Sequence, residues 1–190
     1  MCGVQVTKAP MQVETARLIL SAPTPSDAEA IFERYAGDPE VTRYLGWPRH
    51  HSVSDTQQFV ASSAAEWERW PAGAYLIRTR SDGRLIGGTG LHFEHLDEAV
   101  TGYVLAKDAW GQGYATEALG AIVALARRIA LRRVYACCHP EHRASWRVLE
   151  KCGFTLDPSW TDRAEFPNLA PGELQDVLCY EIVLNRPAAC

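Results

Sequence analysis

The chain has 190 residues, 47% of them hydrophobic, which is enough for one domain with a sizeable core. Its formal net charge of −4 excludes a general nucleic-acid binder, which is usually basic, and suits cationic or amine ligands. Six cysteines without a Cys-x-x-Cys pair exclude a disulfide framework and a zinc-ligand set and point to a reducing cytoplasm, and no apolar run approaches the roughly 18 residues that a membrane helix needs.

Residues 1–12 carry neither the basic start nor the apolar stretch of a signal peptide; they read as a flexible extension ahead of a single domain over 13–187. Residues 17–21 form a first strand. Thr24-Pro25-Ser26-Asp27 opens a helix, with Thr24 or Ser26 as cap and proline in the first turn. Ala28, Ile31, Phe32 and Tyr35 are its apolar face, and Gly37 ends it. A short helical segment starts at Asp38-Pro39-Glu40 and breaks at Gly46-Trp47-Pro48. Ser52 or Ser54 caps a longer helix with Phe59, Val60, Ala64 and Trp67 inward, stopped by Trp70-Pro71-Ala72-Gly73.

Strands follow at 74–79, 85–93 and 100–106, the first two joined by the hairpin turn Ser81-Asp82-Gly83. Gly87, Gly88 and Gly90 inside the second of these mark close backbone approach. A helix over about 115–129 ends on Arg127 and Arg128, where its dipole favours cations. Residues 134–138 are a buried strand. A helix runs from Pro140 or Glu141 to Cys152 and stops at Gly153, and 154–156 is a strand. Residues 157–173, rich in Pro, Asn and Gly, read as a long loop, and 177–184 as the closing strand. An early antiparallel run followed by a β–α–β crossover gives an α+β, mixed sheet with helices on both faces.

The segment that carries chemistry is Trp110-Gly111-Gln112-Gly113-Tyr114-Ala115-Thr116-Glu117-Ala118. A strand lies before it and a helical pattern after it. The first amides of a helix have no partner within it, and the dipole there favours anions. Glycines at 111 and 113 keep side chains away from those amides. A phosphate-cradling NTPase loop would need Gly-Lys-Ser/Thr, and no lysine follows. A dinucleotide fingerprint would need a third small residue and an acid about 20 positions on; the chain has Thr116 and the basic Leu131-Arg132-Arg133. The diphosphate of coenzyme A is the third reading, and an ordinary strand–turn–helix with a capping glycine satisfies the same pattern.

This segment resembles the acetyl-CoA loop of the GNAT acetyltransferase superfamily, Arg/Gln-x-x-Gly-x-Gly/Ala. Gly113 and Ala115 fit its last two positions, and Trp110 stands at the first, as is common among ribosomal-protein N-terminal (RimJ/RimL-type) acetyltransferases. Further segments resemble the same branch in the same order: residues 38–48, 85–91, 142–154 and 172–180, together covering about 14–185. The resemblance implies a mostly antiparallel twisted sheet of about seven strands with one splayed pair. It implies transfer of an acetyl group from acetyl-CoA to a primary amine, of a protein N-terminus or a small molecule, by direct attack in a ternary complex. It places the diphosphate on the amides of Gln112, Gly113, Tyr114, Ala115 and Thr116, and the pantetheine arm on Tyr103, Val104 and Leu105. The Leu105 amide becomes the oxyanion donor, and Ser145 the proton donor beside the cofactor. Tyr44 and Trp47 wall the acceptor pocket, and the protein is a monomer or homodimer.

The chain also departs from the pattern. Val100 stands where many members carry Glu, Leu149 where many carry Tyr, and His142 where the motif has Asn. His142 can bond cofactor or solvent, or be a surface residue at a helix start. His92 and Glu94, on one face of their strand, are the base candidates. His92 and His95 face opposite ways on a strand, so no metal site is expected there. A non-catalytic acyl-CoA-binding module of the same fold, with its acid/base groups lost, is the competing reading.

Overall fold

The structure, a computed structural model, describes residues 7–184. Their strands are β1 (Gln12–Glu14), β2 (Leu18–Ser21), β3 (Ala74–Thr79), β4 (Leu85–His95), β5 (Glu98–Leu105), β6 (Arg133–Cys138), β7 (Thr155–Leu156), β8 (Asp162–Glu165) and β9 (Leu174–Val183). They lie in the order β1-β2-β3-β4-β5-β6-β9-β7, with β8 also paired to β9. Among the described residues every pairing is antiparallel except β5 with β6, which is parallel. The crossover between those two contains α4 (Tyr114–Arg128), as a parallel connection requires.

The other helices are α1 (Ala28–Ile31), which continues as a π-helical turn over Phe32–Ala36, α2 (Pro39–Thr42), α3 (Val53–Arg69) and α5 (Arg143–Lys151). Successive residues of β3 point to opposite faces, and both faces are covered. Ile77 packs with Leu119 and Ile122 of α4, whereas Leu76 packs with Ile31, Tyr35 and Val60 of the α1–α3 layer. One expected cap forms, and Asp38 supplies another that the sequence reading did not name. The Asp38 carboxylate accepts from the amides of Glu40 and Val41 at 2.8 and 3.2 Å, and the Ser52 hydroxyl, not that of Ser54, accepts from Asp55 at 3.3 Å.

Three expectations are corrected. Residues 8–12 of the expected extension are held against the domain: the Ala9 amide donates to the Pro71 carbonyl (2.7 Å), Lys8 Nζ to that of Trp67 (3.1 Å), and Tyr75 OH to that of Pro10 (2.6 Å). Residues 1–6 lie outside the described residues. The expected 157–173 loop contains β8 and the chain around 12–14 forms β1, so the described sheet has nine strands where about seven were expected. Both β1 and β8 are short, mostly exposed edge strands whose pairing partner, not their own composition, makes them strands. Finally, α5 begins at Arg143, with His142 as its N-cap residue rather than an interior one.

Candidate active site

The backbone makes a cleft before any side chain contributes. β5 and β6 pair at only three positions, Glu98↔Arg133, Ala99↔Val134 and Val100↔Tyr135. Beyond Val100, β5 stays with β4 (Gly102↔Gly90, Leu105↔Gly87), and β6 stays with β9 (Ala136↔Tyr180, Cys138↔Leu178). The two strands therefore splay. Gly87 holds β4 tightly to β5: a Cβ there would lie 2.1 Å from the Val104 carbonyl oxygen. The Ala106 amide bonds the Ile86 carbonyl at 2.8 Å, which makes Gly87↔Leu105 a non-hydrogen-bonded pair. By the antiparallel alternation, the amides of Thr101, Tyr103 and Leu105 then point away from β4, into the gap.

At the end of β5 the chain turns through Gly111 (φ 73°) and Gly113 (φ 78°) into α4. Both glycines occupy the left-handed region that other residues rarely adopt. The ladder of α4 begins with the Glu117 amide on the Gly113 carbonyl (3.1 Å), and the amides of 112–116 meet no acceptor among the described residues. These donors at a helix N-terminus suit a diphosphate. The turn is tied on both sides. Trp110 Nε1 donates to the Leu105 carbonyl (2.8 Å). Arg17 donates Nη1–H to the Gln112 carbonyl (3.0 Å), pairs through Nε with Glu117 (2.6 Å), and lies 4.6 Å over the Tyr114 ring. Thr15 and the Arg17 amide also donate to Glu117 (2.6 and 2.8 Å). Burial raises the Glu117 pKa, but these hydrogen bonds and the Arg17 charge outweigh it and hold the carboxyl below its usual range.

A cavity of about 800 Å³ begins at the gap and extends under the α1–α3 layer. Ser145, on α5, lines it. The Tyr103 hydroxyl donates to the Ser145 carbonyl (2.7 Å) and lies 3.0 Å from Ser145 Oγ. Burial pushes the Tyr103 phenol well above its usual pKa, so it stays protonated. His142 stacks on Tyr44 at 4.9 Å. Burial, then the nearby His139, lowers its pKa, leaving the imidazole neutral near pH 7. Trp47 sits 5.3 Å from His50 across a tilted contact.

Comparison with known proteins decides what this cleft belongs to. The model for the acetyltransferase (GNAT) domain matches residues 17–155. The chain is a GNAT acetyltransferase. An uncharacterized N-acetyltransferase of Bacillus subtilis, YoaA, is 33% identical over 145 residues, covering 75% of this chain and 81% of the relative. A GNAT-family acetyltransferase from Bacillus anthracis superposes with a TM-score of 0.78 at 25% identity over 91% of this chain and 98% of that one. RimL, a ribosomal L7/L12 alpha-N-protein acetyltransferase solved with coenzyme A disulfide-bonded to one of its cysteines, has the same fold. Its TM-score is 0.79 at 24% identity, covering 94% of this chain and 99% of that one. Acetyl-CoA is accordingly the cosubstrate of an N-acetyltransferase.

In this acetyltransferase Tyr44, Trp47, His92, Tyr103, Val104, His142 and Ser145 line one cavity, as do Val100 and Leu149, the two departures from the family pattern. Leu105 is buried at the end of β5, and 112–116 form the turn beyond it. Glu94 stands outside the lining, its carboxylate accepting from Tyr135 OH at 3.0 Å. His92 is engaged with Glu66 at 3.2 Å. A register shift between Phe93 and His95 breaks the alternation, leaving His92, Glu94 and His95 all exposed. Sequence reasoning missed Arg17 and Glu117, separated from the loop or from each other by about a hundred positions, and missed the Tyr103 hydroxyl because it treated that residue only as strand backbone. It also missed Cys137, Asp162 and Cys179, whose possible ligand atoms lie within 4.8 Å of one another. Adjacent registered strands bring the two cysteines together.

Proposed function

We propose that the acetyltransferase moves the acetyl group directly to a primary amine, both substrates being bound together in the cleft. The supporting observation is that the open edge of β5 and the Ser145–Tyr103 hydroxyl pair share one cavity, while the unpaired amides of 112–116 lie in the turn that follows β5. The amides of 112–116 hold the diphosphate, and Tyr103, Val104 and Leu105 pair with the peptide-like arm. Acetyl-CoA supplies the activated thioester. The Leu105 amide, aimed into the gap, stabilises charge that develops on the carbonyl oxygen.

Tyr103 carries one hydroxyl proton and gives it to the Ser145 carbonyl. In the 3.0 Å hydroxyl contact Ser145 is then the donor to Tyr103, and it turns that proton to the departing sulfur as the thiolate forms. On the acceptor side, His92 or the neutral His142 takes the amine proton, His142 being the more enclosed of the two. Glu94, held by Tyr135 outside the lining, acts there only through an intervening group. The acceptor is a protein N-terminus, as RimL's is, or a small-molecule amine. One observation favours the non-catalytic reading: Val100 and Leu149 put hydrocarbon on the cavity wall at two positions where many family members carry Glu and Tyr.

Release of free thiol from acetyl-CoA over a panel of amines tests the proposal. With any productive acceptor, Ser145→Ala lowers kcat about 100-fold while leaving the KM for acetyl-CoA within a few-fold. Unchanged kcat in that variant removes Ser145 as donor. Binding of CoA without turnover of any amine establishes the module instead.

A further inference from the structure

The part of the cavity remote from Ser145 describes its own ligand. Its walls are Trp47, His50 and Phe59 from the α2–α3 region, facing Phe166 and Val177 from the β8–β9 region. Trp47, His50 and Phe59 form a connected run of rings, with centroids 5.3 and 6.3 Å apart. Burial lowers the His50 pKa, against the opposing pull of Asp55, so this ring too is neutral near pH 7. Its Nδ1 is already paired with Thr56 Oγ1 at 2.8 Å.

Charge is nearly absent from this chamber. Among the described lining residues the only acid is Asp55, and its carboxylate accepts from the amides of His51 and Ser52 (2.8 and 3.0 Å) at the start of α3. Arg49, the one lining residue with a permanent positive charge, repels further cations. Three acids reach lining side chains from outside: Glu66 and Glu141 are engaged with His92 and Tyr44, and Asp162, within 4.8 Å of Cys137 Sγ, accepts from the Arg163 amide at 2.7 Å. An acceptor with several ammonium groups would leave all but the reacting one desolvated and unpaired.

The segment that carries Trp47 is also tied in place. Asn168 donates both amide hydrogens, to the carbonyls of Thr42 and Trp47 at 2.8 Å each, and accepts from the Arg49 amide at 2.7 Å. One side chain thereby fastens the loop after β8 onto the segment after α2. Rings and methyl groups line the chamber, where an extended peptide would need backbone partners. Its volume, shared with the end of the cofactor arm, lies within the roughly 300–1,000 Å³ of small-molecule sites.

Resting on the acetyl-transfer reading, we infer that the acceptor is a small monoamine carried on an aromatic or branched apolar body that fills the Trp47–Phe59–Phe166 chamber. The full chain is assayed for thiol release with 2-phenylethylamine, spermidine, an aminoglycoside and a serine-initiated hexapeptide. Each is also titrated calorimetrically into the complex with CoA. The expected result is binding of 2-phenylethylamine and a kcat/KM about tenfold or more above the other three. Trp47→Ala should cut that value about tenfold while moving the KM for acetyl-CoA less than twofold, and Asn168→Ala should shrink the discrimination. If spermidine, the aminoglycoside or the peptide is turned over best, this acceptor class is overturned and acetyl transfer stands. If 2-phenylethylamine binds and no amine reacts, the chamber assignment stands and acetyl transfer fails. Absence of both binding and turnover of 2-phenylethylamine overturns the inference.

Discussion

Tyr103 and Ser145 meet across 42 positions of sequence, and their contact makes the serine more than a polar residue on a helix. His142 lies three residues before Ser145, in a cavity wall that disfavours its charged form. Its pKa falls on folding from the 6.5 of a free imidazole. Between the folded and unfolded values, the unfolded chain binds the proton and the folded chain does not. Stability therefore rises with pH through that window and is lost on acidification below about 6.5. His142→Asn removes the titration, so its urea-unfolding free energy should fall less than wild type between about pH 7 and pH 5. Parallel pH profiles for the two proteins would mean that this ring is as freely solvated as in the unfolded chain. His50, also lowered, contributes with the same sign in both proteins and cancels in the comparison.

At the scale of elements, the glycine turn is positioned by its neighbours. Arg17, just before β2, and Glu117, in the first turn of α4, lock the turn to the sheet through a 2.6 Å ion pair, with Thr15 and a backbone amide completing the carboxylate. Glu117→Gln keeps the shape and weakens these bonds. It should cost about 1–2 kcal/mol of stability at neutral pH, measured by urea unfolding. Because the folded carboxyl lies below its usual 4.5, that contribution is present above this value and fades as pH falls through the folded pKa. The variant and wild type should therefore converge in acid; a constant difference at every pH would locate the effect elsewhere. Local rules expose α3 and α4, since Ser52, Gly113 and the spacing of Ile122 and Ala126 are decided within a few residues. They do not expose β1, whose three residues become a strand by lying against β2, or β8, which lies against β9. The same limit hid the Asn168 stitch, which joins segments about 120 positions apart.

At the scale of the molecule, one divergence of strands organises the chemistry. The glycine turn at 113 was legible from its own residues, whereas Tyr103–Leu105 and Ser145 were singled out only through the family resemblance. A splayed pair was expected from the family resemblance, but its place after Val100 was not, because β5 and β6 carry ordinary strand residues on both sides of it and only their different partners pull them apart. Nor could alternation foresee the bulge that leaves His95 exposed beside His92 and Glu94. The proposed acceptor chamber depends on rings from two distant segments, residues 47–59 and Phe166, that line one cavity. The central claim is that free amides at 112–116 hold the diphosphate while the β5 edge receives the arm. A crystal structure with acetyl-CoA tests it most directly. Phosphate oxygens within hydrogen-bond distance of those amides, with the arm running along Tyr103–Leu105, are the expected result. A cofactor bound elsewhere, or a turn filled by a side chain of the protein itself, would contradict it.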